Sequence, residues 1–280
     1  MRILAVQRAE RYSPNSVDKD SAIMRSVVRH LCNAGHQVSV VSEDSLLTAD
    51  DVSWQTVFSM GRSEETLQWL RSLQVPVINA PDGVARCRRS TLQQLMLTAG
   101  VPVAPRRGSD GYWLKRGDGC AQSPDDVVYA ATDGELEAKL NAFRCRGIHD
   151  YVVSAHVVGD VVKFYGVVSY GGKLHNNEAS DSFFRCYYPA DDGETKYGDE
   201  RHNGQAHHYA FNVAALQRVS EHLAAIVGIS VFGGDCIVRA DGTFCIIDFN
   251  DWPSFSRCRE EAAVAIAALA EKKERVDGDI

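Results

Sequence analysis

The sequence predicts a parallel α/β domain followed by two α+β pieces, and three observations carry that prediction. Over the first 80 residues, short apolar runs alternate with helical-period stretches and glycine punctuation, the pattern of βαβ units. At Pro81 the alternation stops, and β-rich runs separated by local turn signals take over. Near the carboxy end, Asp235 and Asp248 flank an Asp241-Gly242 turn at equal distance, inside the run from Gly233 to Asn250.

The elements follow in order. Arg2 to Gln7 reads as a strand, and Ile23, Met24, Val27, Val28 and Leu31 recur at helical spacing until Gly35 closes that stretch. Strands are expected at 37–41, 56–60 and 75–79, with a helix at 64–73. Beyond Pro81 the pattern predicts a helix at 90–99, a strand at 111–116, a short strand at 127–129 and a helix at 135–143. Runs 151–157 and 161–170 are β-rich, and Gly159-Asp160 between them signals a hairpin. Residues 171–211 show no sustained period and read either as a lid or binding loop or as an irregular excursion with its own small hairpins. A helix at 213–227, the Asp-Gly hairpin and an alanine-rich helix at 259–272 complete the chain, whose charged tail from Glu271 reads as a frayed end.

Composition narrows the function. With 280 residues, 45% hydrophobic and 24% charged, the chain has the make-up of a folded protein with a sizeable core. A net charge of −7 with dispersed basic residues argues against nucleic-acid or membrane partners, so an anionic ligand must be met locally. The eight cysteines show no C-x-x-C or Cys/His zinc spacing. With no secretory h-region and no apolar run long enough to span a bilayer, the expected location is cytoplasmic with reduced thiols.

The hairpin carries the chemistry. A two-residue Asp-Gly turn makes every cross-strand pair sum to the same total, so Asp235 faces Asp248 with Cβ atoms about 5 Å apart. Facing carboxylates in a half-buried strand pair are tolerated when one is protonated or a cation lies between them, and a divalent metal is the economical answer. Asn250, two residues on, adds a neutral oxygen to the same face, giving hard ligands of the kind magnesium uses with phosphate. No G-x-x-x-x-G-K-[ST] is present, and Lys115-Arg-Gly117-Asp-Gly119 lacks the third glycine of the dinucleotide fingerprint. What remains is a strand-end lysine before a Gly-x-Gly turn, where the ammonium and backbone N–H groups can meet phosphate.

Together these pieces resemble the ATP-grasp superfamily. The matching runs are Asn79-Ala-Pro81 through Arg89, Ala99-Gly-Val-Pro-Val-Ala-Pro105, Tyr112-Trp-Leu-Lys115, Tyr151-Val-Val-Ser-Ala-His-Val157, Val161-Val-Lys-Phe-Tyr-Gly166, and Gly234-Asp235 through Asp248-Phe-Asn250-Asp-Trp-Pro253. The resemblance implies a Rossmann-like parallel α/β domain over 1–80, then a two-subdomain ATP-grasp fold with its small subdomain over 81–150 and its C-terminal, metal-bearing subdomain over 151–280. It implies that Arg89 and Lys115 contact ATP phosphates together with Gly117 and Gly119. Ser154, Ala155, His156 and Val157 would form the hinge against adenine, with Asp160 near the ribose. Lys163 would reach the transferred phosphate or the substrate, while Asp235, Asp248 and Asn250 match the magnesium ligands. Arg89 stands where a lysine is usual, and Asp248 replaces the commoner glutamate.

The resemblance further implies ATP and Mg²⁺ as cofactors. The layout resembles the ribosomal-protein glutamate ligases and glutathione synthases, in which a carboxylate is activated as an acylphosphate and captured by an amine or thiol. The alternative is a kinase acting on a hydroxyl, as inositol-phosphate kinases of this fold do; Asp248-Phe-Asn250 and the 162–166 run resemble that branch somewhat more. The expected partner is a small-molecule or peptide substrate with an anionic group, and a homodimer is admitted. Arg257 is the candidate for the substrate anion, alongside Arg259 and the Arg8, Arg11 and Lys19 loop beyond the first strand.

Overall fold

Four successive apolar residues, Ile3, Leu4, Ala5 and Val6, are buried in Arg2–Gln7 (β1), as a central parallel strand covered on both faces requires. β1 pairs in parallel with Gln37–Ser42 (β2) and Thr56–Ser59 (β3), and β3 pairs with Val77–Ile78 (β4), giving the order β2-β1-β3-β4. Alternation along β1 sends Ile3 and Ala5 to one face, where Val17–Asn33 (α1) packs Ile23, Met24, Val27 and Leu31. Leu4 and Val6 go to the other, against Leu67 and Leu70 of Glu64–Ser72 (α2). The structure, a computed structural model, describes residues 1–13, 16–48, 53–118, 123–169, 182–189 and 202–271.

Where one helix was expected after Pro81, there are two, Pro81–Arg86 (α3) and Arg89–Thr98 (α4). Pro81 opens α3 because a first-turn residue needs no N–H donor. A three-stranded antiparallel sheet follows in the order β6-β5-β7, made of Tyr112–Arg116 (β5), Val127–Ala130 (β6) and Tyr151–Ala155 (β7). Asp133–Cys145 (α5), capped by Thr132, covers it through Leu140 and Phe143 against Leu114.

The remaining strands are Asp160–Val167 (β8), Phe183–Tyr187 (β9), Val231–Val238 (β10) and Phe244–Asp251 (β11), an antiparallel sheet in the order β11-β10-β8-β9. Val213–Val227 (α6) ends at Gly228 in the left-handed conformation, and Arg259–Ala267 (α7) packs on α1. One face of this sheet, with Val162, Phe164, Cys236 and Phe249, is sealed by α6 and α4. The other face buries Tyr165, Val167 and Val231 against the N-terminal domain. Between that seam and the three-stranded sheet lies the row that contains Lys163, Asp235 and Asp248.

Three expectations change. The Gly159-Asp160 pair does not turn a hairpin: β7 belongs to the three-stranded sheet and β8 to the four-stranded one, so the chain crosses between sheets there. β7 therefore carries the small sheet to Ala155, past the boundary expected at 150. Within 171–211, read as a lid loop or as an excursion with small hairpins, β9 adds an edge strand, while 170–181 and 190–201 lie outside the described residues. The end of the last expected helix, from 272, also lies outside them.

The first domain is joined to β10 by Asn79, which is buried. Its amide donates to the Val231 carbonyl at 2.7 Å and accepts from the Ser230 and Val231 N–H groups at 2.9 and 2.8 Å. Asn79→Ala leaves two buried backbone groups and one part-buried one without these bonds and should cost about 2 to 4 kcal/mol. A urea midpoint equal to the parent's would show the joint to be dispensable.

Candidate active site

The hairpin that carries the acids departs from the expected geometry twice. Its turn has three residues: Gly242 N–H bonds to Arg239 O at 2.9 Å, Arg239 N–H to Thr243 O at 2.8 Å, and Gly242 takes φ +79°. Asp241 locks the turn by accepting from the Thr243 N–H and hydroxyl. Val238 therefore pairs with Phe244, and Cys236 with Ile246, one residue out of the expected register. A bulge at Ile247 restores it, and Asp235 faces Asp248. The two one-residue deviations cancel.

Across the sheet the register continues from Asp235 to Lys163 and from Lys163 to Tyr187, so Asp248, Asp235, Lys163 and Tyr187 form one row on one face. Asn250 follows on the same face as Asp248 and donates to its Oδ2 at 3.0 Å. The bulge also turns the Ile247 carbonyl toward Lys115, whose Nζ crosses from the three-stranded sheet to bond it at 2.9 Å. The neighbouring Ile246 N–H bonds to Pro102 O at 2.7 Å. The irregularity in β11 is thus the point where the two sheets meet.

Charge is balanced within this row. Lys163 bonds Asp235 at 2.8 Å, and that carboxylate is the main cause of its raised pKa. Burial pushes the Asp248 carboxyl up, but Arg89, Lys115, the Asn250 bond and Lys163 outweigh it and hold the group below the usual carboxylate range. The cation that facing acids require is supplied in part by the chain's own side chains. Arg89, the first residue of α4, bonds Arg116 O at 3.2 Å and so stands at the same mouth as Lys115.

Solved structures share this architecture. A D-alanine–D-alanine ligase from Coxiella burnetii superposes with a TM-score of 0.65 at 12% identity, over 99% of this chain and 97% of that one. A RimK domain ATP-grasp protein from Sphaerobacter thermophilus gives 0.60 at 15%, over 96% and 99%. A D-alanine–D-alanine ligase from Bacillus anthracis, complexed with ATP, gives 0.62 at 12%, over 99% and 98%. No protein-family model matches the sequence, and no curated protein matches it. The chain has the ATP-grasp fold.

The remaining expected residues are distributed around the ATP-grasp cleft unevenly. Ser154 pairs with Trp113 on β5, and Val157 joins Val161, Ile237 and Ile247 in a small apolar patch beside the charged row. The N–H groups of Ala155 and His156 are taken by Pro105 O at 2.6 Å and Gly111 O at 2.8 Å. Asp160 is not placed to meet a ribose: its side chain is fully buried, and its two oxygens accept from the His207 and Tyr209 N–H groups. Nor is the Gly117 N–H offered to phosphate, because it bonds Asp150 O at 2.9 Å; glycine is needed there since a Cβ would strike the Asp150 side chain. Gly119 lies outside the described residues.

On the substrate side, Arg257 is exposed and stacks on Tyr187 at 5.3 Å, at the far end of the charged row. Arg8 is instead buried structure, bonding Asp20 at 2.9 Å and Trp252 O at 2.9 Å. Beside it Arg62, which sequence reasoning did not single out, bonds Asp251 at 2.6 Å. The crevice at the ends of β1 and β3 is filled by the buried Glu43 carboxylate, which accepts from the Ala9, Arg62 and Ser63 N–H groups. Trp113 was also missed, although its spacing of two from Lys115 puts both on one face.

The donor set fits magnesium. Two carboxylates, at least one held ionised, stand on adjacent strands, and the amide oxygen of Asn250 lies beside them. Among the described residues no trio of His, Cys, Asp and Glu converges, so an ion here would have only Asp235, Asp248 and Asn250 as side-chain ligands.

Because cations hold the Asp248 carboxyl down, its contribution to stability is present above the ordinary carboxylate pKa and lost as pH falls through its depressed value. Lys115→Met removes one of those cations, so the Asp248 pKa should rise and the acid-induced loss begin at higher pH. Carboxyl ¹³C NMR titration checks this; an unmoved Asp248 resonance would mean that Lys115 exerts no field there.

Proposed function

We propose that the chain is an ATP- and Mg²⁺-dependent ligase that activates a carboxylate as an acylphosphate and joins it to an amine or thiol. The observation that supports this reading most is the meeting of Lys115 from one sheet with Asp248, Asp235 and Lys163 from the other. Phosphoryl transfer needs alignment and neutralised charge more than covalent help, and the row offers both. Asp235, Asp248 and Asn250 would hold the metal, which would supply neutralisation of phosphate charge.

Arg89 and Lys115 bind the phosphates from the small-subdomain side, and the apolar patch around Val157, Val161, Ile237 and Ile247 takes the flat base. Lys163 orients the transferred group, and Arg257 orients the anionic substrate. A substrate carboxylate oxygen attacks the γ-phosphorus and the bond to the β-phosphate oxygen breaks, giving ADP and an acylphosphate. An amine or thiol then attacks the acyl carbon, releasing phosphate and a proton. The names of the structural neighbours, D-alanine–D-alanine ligases and a RimK domain protein, support a ligase of this fold.

Asp248→Ala should abolish Mg²⁺-dependent ADP formation while leaving the far-UV circular dichroism of the parent; near-normal turnover would remove the metal assignment. Lys115→Ala should weaken a non-hydrolysable ATP analogue about 10- to 100-fold by calorimetry, the range for loss of a charge-assisted bond. To separate the chemistries, the protein is incubated with ATP, Mg²⁺ and a metabolite panel with hydroxylamine. A trapped hydroxamate supports the ligase, whereas a stable phosphorylated alcohol replaces it with a kinase.

A further inference from the structure

Trp113 and Tyr129 stand opposite each other on β5 and β6, on the face that carries Lys115. The Trp113 indole N–H donates to Nδ1 of His156 at 3.1 Å, so that nitrogen carries no proton. A fourth ring reaches this group from far along the chain. His202 stacks on Tyr129 at 4.2 Å between centroids and lies edge-on to Trp113 at 5.5 Å.

Five residues later the same segment is held by the other subdomain. The buried Asp160 carboxylate, at the first residue of β8, accepts from the His207 N–H at 2.7 Å and the Tyr209 N–H at 2.8 Å. Residues 202–209 therefore have one end on the three-stranded sheet and the other on the four-stranded sheet, beside the crossing at 156–159.

We propose that residues 202–209 are a strap that fastens the two subdomains of the cleft together, with the His202 ring as its releasable latch. Asp160 is the permanent anchor, because it accepts two backbone N–H bonds, has the His207 ring nitrogen beside it at 3.4 Å, and keeps its carboxylate out of reach of solvent. His202 is the releasable end, being an exposed residue held by ring contacts. Such contacts are worth little enough to break and re-form, and Lys115 lies one two-residue step away on the same face. Unlatching therefore frees the small sheet to swing from the row that it closes, and nucleotide exchange is the step this governs. The gating consequence rests on the nucleotide reading above; the fastening does not.

The latch is also sensitive to acid. The groups facing His156 are Trp113 from β5, Tyr129 from β6, His202 from the strap and Asp110 from the turn before β5. Burial and then His202 hold His156 below the ordinary imidazole pKa, with Asp110 opposing. Its neutral form is therefore built into the latched state, which is intact above about pH 6.5 and weakens as pH falls below that value. A proton on Nδ1 would remove the acceptor that Trp113 uses.

The test uses the full chain without ligand first. Hydrogen exchange of the His207 and Tyr209 amides should quicken about 3- to 10-fold in His202→Ala, the range expected for one aromatic stack. It should stay near the parent rate in His202→Phe, which keeps a ring. In the parent, exchange corrected for its intrinsic rate should quicken between pH 7 and 5.5, and His202→Ala should lose that dependence. With a fluorescent ADP analogue and Mg²⁺, His202→Ala should release nucleotide faster by a similar factor. Unchanged exchange in His202→Ala overturns the strap, and unchanged release with altered exchange overturns its gating role. Failure of the analogue to bind the parent overturns the nucleotide reading, and exchange alone then judges the strap.

Discussion

The structure depends on accommodating two carboxylates face to face on adjacent strands. Asp235 and Asp248 share one row of a half-buried sheet surface, where like charges repel and burial favours protonation. Lys163 answers Asp235 from the neighbouring strand, and Arg89 and Lys115 act on Asp248 from outside the sheet. Because Lys115 belongs to the other sheet, this balance draws the two subdomains toward each other. The electrostatics of the row and the closure of the cleft are one arrangement.

The bulge at Ile247 is the backbone counterpart of that arrangement. It corrects the register so that the acids oppose each other, and it presents the carbonyl that Lys115 bonds. A regular hairpin with the same three-residue turn would move Asp248 one place along and send its side chain to the face sealed by α6. Irregularity here serves placement, as bulges beside functional sites commonly do.

Farther along, the end of β11 is secured to the N-terminal domain. Arg8 and Arg62 converge on Asp251 and its carbonyl, and Glu43 holds the loops that carry them. The N-terminal domain thus acts on the site as a wall, with its own carboxylate in the strand-end crevice. Arg257 lies at the Tyr187 end of the charged row, over that ring.

Much of this was legible in the residues. Alternation and helical period located β1, α1, α2, α6 and the paired acids, because periods of 2 and 3.6 report burial directly. The facing of Asp235 and Asp248 was anticipated, but through a two-residue turn and no bulge, two errors of equal size and opposite effect. Pairing between distant strands leaves no local trace, so the separation of β7 from β8, the edge strand β9 and the burial of Asp160 emerged only in three dimensions. The convergence of Lys115 on Ile247 depends on contacts between segments more than a hundred residues apart. The sequence by itself determined which side chains are candidates for the chemistry; the tertiary structure alone decided which sheet each one stands on, because strand partners are chosen by packing that no single segment encodes.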